Sequence, residues 1–253
     1  MSQSIIPRLL MVIKSFVFMA LTIYGFVVHA KLQIPSGLSA EDRKVLLSVL
    51  GPGAASRLIG DPYPLGGYSG VEVGISSEIL STAEIARLGS RASSQSEFSQ
   101  QNLILGKGLF HRLDVFAQMS IPSQTEDFSY FGGQLRWGFF EGEYLPVYSS
   151  LILSAGSANF GNLVIANTQA ADIALGFSSE DICLYVGGGQ IRTQGRFVGG
   201  SSGITDTGET FVESSVEPHY MAGMSIRFEP MFLAFQLDRY SQSTYSAKIG
   251  ARF

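Results

Sequence analysis

The amino-acid sequence predicts an all-β fold, an antiparallel up-and-down β-barrel whose strands cross a membrane. Only 15% of the 253 residues are charged and 45% are hydrophobic, whereas soluble domains carry about 25% charged residues. After residue 30 there is no run of about 18 apolar residues, the length that a membrane helix needs. From Tyr68 onward, apolar and polar residues alternate with a period of two, a pattern that only strands sort onto two faces.

The first thirty residues have the layout of a secretory signal peptide. Arg8 and Lys14 precede an uncharged stretch over residues 15–28, and a small-x-small sequence ends at Ala30. We therefore expect export and cleavage after Ala30. Met11 is an alternative start for translation. A retained inner-membrane anchor is the rival interpretation, but the uncharged stretch is short for a spanning helix.

Charge and ligand-type residues exclude several classes of function. The net charge is −4, and removing residues 1–30 takes away Arg8 and Lys14 and no acids, which leaves −6. No basic cluster suits nucleic acid, so none is predicted as a partner. Cys183 is the single cysteine and is predicted to be a small apolar strand residue. His111 and His219 lack clustered ligand partners, so no metal and no cofactor are predicted.

Residues 31–66 differ from the rest of the chain and predict a short helix. Ser39 suits the N-cap, and Asp42 stands in the capping-box position. The sequence Gly51-Pro52 is expected to end the helix. We interpret residues 31–66 as a periplasmic or plug-like helical segment, and a poorly ordered leader is the alternative. The predicted apolar face consists of Val45, Leu46, Val49 and Leu50.

Residues 67–253 are predicted to form the barrel. The alternation is clearest over 70–80, where Val71 and Val73 share one face and Glu72 and Glu78 the other. About ten strands are expected, an even number, with eight as the alternative count. Placing a boundary between two strands at Lys107-Gly108 makes the number of predicted strands even. A soluble periplasmic β-sandwich would also alternate and is the structural rival. The predicted strands are 70–80, 98–107, 110–121, 129–141, 145–156, 161–177, 181–197, 210–228, 231–241 and 243–253.

The predicted connections alternate in length. Short links fall at residues 142–143, 178–180 and 229–230, and longer polar links at 122–128 and 199–208. Short turns on one side and long loops on the other are typical of outer-membrane barrels. Both ends of the barrel are then expected on the short-turn, periplasmic side.

The last nine residues resemble the C-terminal signal that the barrel-assembly machinery recognises in outer-membrane proteins. Tyr245, Ile249 and Phe253 lie on one face of an alternating strand, and the chain ends on Phe253. Ala251 departs from the pattern, because the family often has a larger residue there. The resemblance implies the outer membrane of a Gram-negative-type bacterium. It also implies membrane lipid, the assembly machinery and, during export, periplasmic chaperones as partners.

The faces opposite the apolar ones are predicted to line the lumen with charges of both signs. Isolated buried charges are costly, so we expect a network of ion pairs in a lumen largely filled by side chains. A narrow, porin-like path for small solutes is the alternative. The residues are Glu72, Glu78, Asp114, Arg136, Asp172, Arg227, Asp238, Lys248 and Arg252.

These observations favour an outer-membrane barrel of structural or surface-interaction type, with a narrow solute channel as the alternative. A second alternative is a membrane-embedded hydrolase or acyltransferase that uses His219, since Ser215, Glu217 and His219 alternate on one face. Residues two apart on a strand are about 6.5–7 Å apart, so this row alone cannot assemble a catalytic group. No catalytic residue is predicted.

Overall fold

The structure, a computed structural model, describes residues 32–89, 97–121, 128–179 and 181–253. The predicted signal peptide and its rival, the retained anchor, lie outside these residues. Among the described residues, no helix is both long and apolar enough to cross a membrane.

Ten antiparallel strands form a closed barrel in which each strand pairs with its neighbours in sequence and β1 pairs with β10. The count of ten is confirmed and the alternative of eight is wrong. The split near Lys107-Gly108 is also confirmed, because β2 ends at Gly108 and β3 begins at Leu113. The strands are β1 Val71–Ser81, β2 Glu97–Gly108, β3 Leu113–Ser120, β4 Phe128–Glu141, β5 Val147–Phe160, β6 Val164–Ser179, β7 Ile182–Phe197, β8 Phe211–Phe228, β9 Met231–Arg239 and β10 Ser243–Arg252.

The ring closes between the first and last strands. Ile75 lies opposite Ile249 in the β1–β10 register, and Val71 and Phe253 exchange two backbone hydrogen bonds of 2.9 Å. Closure gives each of the ten strands a partner on both sides, so the described sheet has no edge strand, the condition that a sheet in lipid must meet. The rival β-sandwich is therefore wrong, since a sandwich would leave two separate sheets.

The two ends of the barrel differ in their connections. We call one the short-turn end, where the links are residues 109–112, 142–146, 180–181 and 229–230. The other is the long-loop end, with links 82–96, 121–127, 161–163, 198–210 and 240–242. The link at 161–163 is short because β5 continues to Phe160, four residues beyond its predicted end.

Helix α1 (Ala40–Leu50) precedes the barrel and begins as predicted. Ser39 is its N-cap, and the side chains and backbone of Ser39 and Asp42 form a reciprocal capping box. The predicted buried face is shifted by part of a turn. Val45 is 36% exposed, whereas Leu47 is fully buried with Leu46 and Leu50. The shift follows from docking, because α1 packs against β7 and β8.

Helix α1 covers the barrel at the long-loop end. Its leucines belong to an apolar cluster with side chains from the ends of β2, β5 and β7, including Phe98, Phe160 and Phe197. The sequence pattern of alternating strands predicts no such cluster inside the barrel. It forms because inward positions near this end are aromatic or aliphatic instead of charged.

After α1 the chain passes down the inside of the barrel, and we call residues 51–66 the lumen segment. A 3-10 helix, Gly51–Ala54, begins it. Thr168, deep in β6, donates to the carbonyl oxygen of Gly51 at 3.0 Å, whereas Ser150, near the start of β5, donates to that of Pro62 at 2.7 Å. The segment therefore runs from the long-loop end toward the short-turn end.

Candidate functional site: the charged lumen

The period-two alternation of the wall places the predicted charges inside the barrel. Arg227 and Arg252, at the short-turn end, keep side-chain exposures of 36% and 22%. The others are buried: Glu72, Glu78, Asp114, Arg136, Asp172, Asp238 and Lys248. Buried charges need partners, and the contacts below supply them.

Asp61 of the lumen segment is the centre of the cluster near the short-turn end. Its carboxylate forms ion pairs with Arg227 and with Arg252, the latter at 3.4 Å. The hydroxyl of Tyr148 donates to the same carboxylate at 2.6 Å. The carbonyl oxygen of Asp61 accepts a hydrogen bond of 2.7 Å from Arg136. Three wall strands besides β10 thus bind one residue of the segment.

Two neighbouring pairs complete this cluster. Glu72 on β1 binds Lys248 at 2.5 Å and Arg252 at 2.6 Å, both on β10. These contacts join the first and last strands by side chains as well as by backbone. Asp114 binds Arg136 through two nitrogens, at 2.8 and 3.1 Å. Both nitrogens donate to the same carboxylate oxygen, and hydrogen bonds between two charged groups are stronger than those between neutral groups.

Arg57 of the lumen segment is the centre of a second cluster, in the middle of the lumen. Its side chain is fully buried and pairs with Glu78 and, at 3.7 Å, with Asp238, both also fully buried. Another guanidinium nitrogen donates to the carbonyl oxygen of Pro52 at 2.6 Å. Side-chain amides satisfy the remaining acceptor positions of Glu78, from Gln100, Asn102 and Gln118 at 3.1, 2.7 and 3.0 Å.

His219 belongs to this middle cluster and does not form a catalytic group with Ser215. Its Nδ1 lies 2.7 Å from Asp172 and its Nε2 lies 2.9 Å from Asp238. Both ring nitrogens are therefore engaged by carboxylates. The Ser215 hydroxyl donates to Glu217 at 2.8 Å. The ring of His219 stacks on Tyr240 with 4.3 Å between centroids. In the described ranges, no three or more His, Cys, Asp or Glu are arranged to hold a metal ion.

The lumen segment supplies charged residues that the sequence analysis missed. Arg57 and Asp61 were not assigned to the lumen, yet each is bound by several wall residues. The available signal was the unequal count of predicted wall charges, five acids against four bases, next to the stiff sequence Asp61-Pro62-Tyr63-Pro64. That signal does not reveal which strands the segment will contact.

The three residues of the predicted assembly signal lie on the outward positions of β10 and at its end. Tyr245 and Phe253 are 60% and 72% exposed, whereas Ile249 is 4% exposed. Ile249 lies between Ile75 on β1 and Leu233 on β9, whose side chains share its face. Cys183 points inward, with its sulfur 2.7 Å from the hydroxyl oxygen of Tyr148.

The outer face of the wall is apolar over most of its height. Exposed aliphatic and aromatic side chains occur on all ten strands. Within the described strands, the outward positions of β5 to β8 carry no carboxylate. Exposed apolar residues include Val73, Leu105, Val115, Leu135, Trp137, Leu153, Leu175, Phe177, Leu184, Val186, Phe228, Phe235 and Tyr245.

Comparison with known proteins finds similar solved structures of β-barrel proteins, but it does not assign the chain to a protein family. No protein-family model matches the chain, and no curated protein matches it. The N-terminal β-barrel domain of Pseudomonas aeruginosa OprF is similar at 14% identity and a TM-score of 0.38, covering 74% of this chain and 99% of that one. Ail of Yersinia pestis, in complex with the heparin analogue sucrose octasulfate, is similar at 14% identity and a TM-score of 0.32, covering 73% of this chain and 97% of that one. The KdgM porin, in complex with disordered oligogalacturonate, is similar at 7% identity and a TM-score of 0.38, covering 72% of this chain and 99% of that one.

Proposed function

We propose that this chain is an outer-membrane β-barrel of structural or surface-interaction type whose lumen is closed by its own N-terminal segment. The apolar outer face of a closed antiparallel ring supports the membrane location, because soluble proteins seldom expose apolar patches of this extent. Membrane lipid is then the partner of the outer face. The barrel-assembly machinery and periplasmic chaperones are the proposed partners during export, after cleavage following Ala30.

The asymmetry of the connections supports one orientation. In barrels of this class the long loops face the outside and the short turns face the periplasm. Helix α1 lies at the long-loop end, so this orientation places it on the outer side of the membrane. Of the two interpretations of residues 31–66, the plug-like one fits this arrangement and the periplasmic one does not.

The burial of Arg57 is the observation that carries the closed-lumen proposal. A guanidinium with no exposed surface, paired with two carboxylates of the wall, holds the lumen segment across the middle of the barrel. Asp61 holds the same segment nearer the short-turn end. A permanently occupied lumen favours a structural or surface-interaction role over a narrow, porin-like channel. The sequence predicts a lumen largely filled by side chains, and in this proposal the lumen segment contributes to that filling together with the wall.

Membrane location is tested by fractionation together with a gel of boiled and unboiled samples. The expected result is recovery with the outer membrane and a band that migrates differently before boiling. A protein that stays soluble without detergent and shows no shift would contradict the proposal.

Lumen closure is tested in planar bilayers. We expect the wild type to give no stepwise conductance, and the double variant R57M/D61N to give steps, because both ion-paired side chains of the segment lose their charge. Arg112→Met is the matched control, since that arginine lies outside the lumen and pairs with Glu141 at the surface. Regular steps from the wild type would favour the channel alternative.

The hydrolase or acyltransferase alternative finds no support in the geometry of His219, because carboxylates engage both of its ring nitrogens. Comparing His219→Ala with the wild type in a lipid or ester turnover assay tests it. Equal rates, or none from either protein, would end that alternative.

A further inference from the structure

A hollow of about 960 Å³ lies on the outer face of the wall across β3 to β7. Its floor consists of small residues, since Gly133 on β4 lies opposite Ala155 on β5 in the strand register. Larger apolar side chains, Leu135 and Leu153, flank this pair on the side of the short-turn end. Phe131 borders it on the other side and is 63% exposed. These exposed side chains place the opening of the hollow on the outside of the barrel.

The β6 and β7 side of the same hollow is polar. The register continues from Ala155 to Gln169 and from Gln169 to Arg192. Asn167 and Gln194 occupy the next row toward the long-loop end and also line the hollow. The hollow therefore has an apolar part on β4 and β5 and a hydrogen-bonding part on β6 and β7.

The height of Arg192 matches the upper edge of the apolar band. Arg192 is ten residues from Ile182, where β7 begins at the short-turn end. At about 3.3 Å per residue and a tilt near 40°, it stands about 25 Å above that end. The apolar band of an outer-membrane barrel is about 25 Å tall. The guanidinium is thus at headgroup height, and Leu135 and Leu153 are at acyl-chain depth.

The electrostatics of this surface favour an anion. Arg192 is exposed, and among the described residues no carboxylate forms an ion pair with it. The outward positions of β5 to β8 hold arginines at 192 and 196 and no acid. A planar guanidinium with neighbouring amide donors is well suited to a phosphate group.

We propose that the hollow binds one lipid with an anionic phosphate headgroup, in the leaflet at the long-loop end. The phosphate binds Arg192, with Gln169 and Gln194 as further donors. An acyl chain lies over Gly133 and Ala155, the small outward residues of the floor. The proposal rests on the membrane location proposed above. An amphipathic occupant is required because the two parts of the hollow differ in polarity, and the uncompensated positive charge selects one whose phosphate gives the headgroup a net negative charge.

The test measures lipid retained by the purified, detergent-solubilised protein. Diphosphorylated lipid A is titrated and bound lipid is counted by native mass spectrometry, with phosphatidylcholine in a parallel titration. Arg192→Gln removes the charge, and Gly133→Leu fills the apolar floor. A Cβ at Gly133 would meet its nearest atom, the carbonyl oxygen of Phe116, at 3.4 Å, so the wall needs little adjustment. Arg196→Gln is the control, because Arg196 shares the strand and face but does not line the hollow.

We expect one lipid A per wild-type molecule and about tenfold weaker binding for Arg192→Gln, the usual size of a lost charge-assisted contact at a partly solvated site. Gly133→Leu should also weaken binding, and Arg196→Gln should not. Heat-modifiable migration of every variant shows that the barrel is intact. A soluble protein without a heat shift would contradict the membrane location itself, which is a different failure from the ones below.

Four outcomes would overturn the lipid site alone. Equal binding by the wild type and Arg192→Gln would remove the role of that residue. Equal weakening by Arg192→Gln and Arg196→Gln would indicate a general attraction to positive charge. Equal retention of phosphatidylcholine, whose phosphate is balanced by its choline, would remove the need for a net negative headgroup. Displacement of lipid A by inorganic phosphate would remove the need for a lipid.

Discussion

At the long-loop end the barrel is closed by the leucines of α1, whereas lower in the lumen it is closed by the paired charges of Arg57 and Asp61. Leu46, Leu47 and Leu50 are fully buried in an apolar cluster. Such packing is non-directional, and its strength follows the area removed from water. The ion pairs depend on geometry, and removing one partner leaves a buried charge behind. The same segment is thus held by two kinds of interaction that should fail under different conditions.

The largest effect is expected from Arg57→Met, which keeps much of the side-chain volume and removes the charge. Glu78 then stays fully buried without its cation, and Asp238 keeps its contact with His219 but loses Arg57. We expect the free energy of unfolding to fall by about 4 kcal/mol. Urea unfolding in micelles, followed by fluorescence of the single tryptophan, Trp137, measures it. The exposed pair of Arg112 with Glu141 offers the control Arg112→Met, and a similar loss in both variants would refute the prediction.

Leu47→Ala tests the apolar packing that closes the long-loop end. Leu47 is fully buried in the cluster that covers the long-loop end. The lost transfer energy and the cavity together should cost about 3 kcal/mol in the same urea assay. This loss should be equal at low and high salt. Val45→Ala is the control, because Val45 is 36% exposed and a much smaller change is expected there.

Asp61→Asn tests whether the ion pairs of the lumen segment depend on salt, in contrast to the apolar packing of α1. The substitution keeps the shape and removes one charge beside Arg227 and Arg252, which are partly exposed to water. We expect a loss of about 2 kcal/mol at low salt, less than for Arg57→Met because solvent screens these arginines. At 1 M salt the screening length is about 3 Å, so the difference from wild type should shrink. A salt-independent difference would indicate lost packing instead of lost charge.

The smallest effect is expected at the start of α1. Ser39→Ala removes the capping box with Asp42 and should cost about 1 kcal/mol, confined to the helix. Hydrogen exchange at the amides of residues 40–43 should accelerate while that of the barrel strands stays the same. Ser48→Ala is the control, since its hydroxyl donates to the carbonyl oxygen of Val45 within the same exposed turn. Acceleration throughout the strands would mean that the cap supports the whole barrel.

The alternation of the strands could be predicted because one face of each strand is buried. The polarity of each residue therefore indicates whether its side chain faces the lumen or the outside of the barrel. Glu72, Arg136 and Lys248 face the lumen for this reason, and the first-to-last pairing follows from closure. The partners of these charges could not be predicted. Glu72 binds residues about 180 positions away, and Asp61 binds arginines from two distant strands. Such contacts depend on register and tilt, which no local pattern encodes.

The sequence by itself determined that this chain forms ten alternating strands with one capped helix before them, since periodicity and capping act over a few residues. Only the tertiary structure decided where that helix and the lumen segment lie. Residues 51–66 carry no periodic signal, and their position depends on buried charges of the wall that come together only when the ring closes. The outer hollow is likewise a product of the register, which aligns Gly133, Ala155, Gln169 and Arg192 from four separate strands.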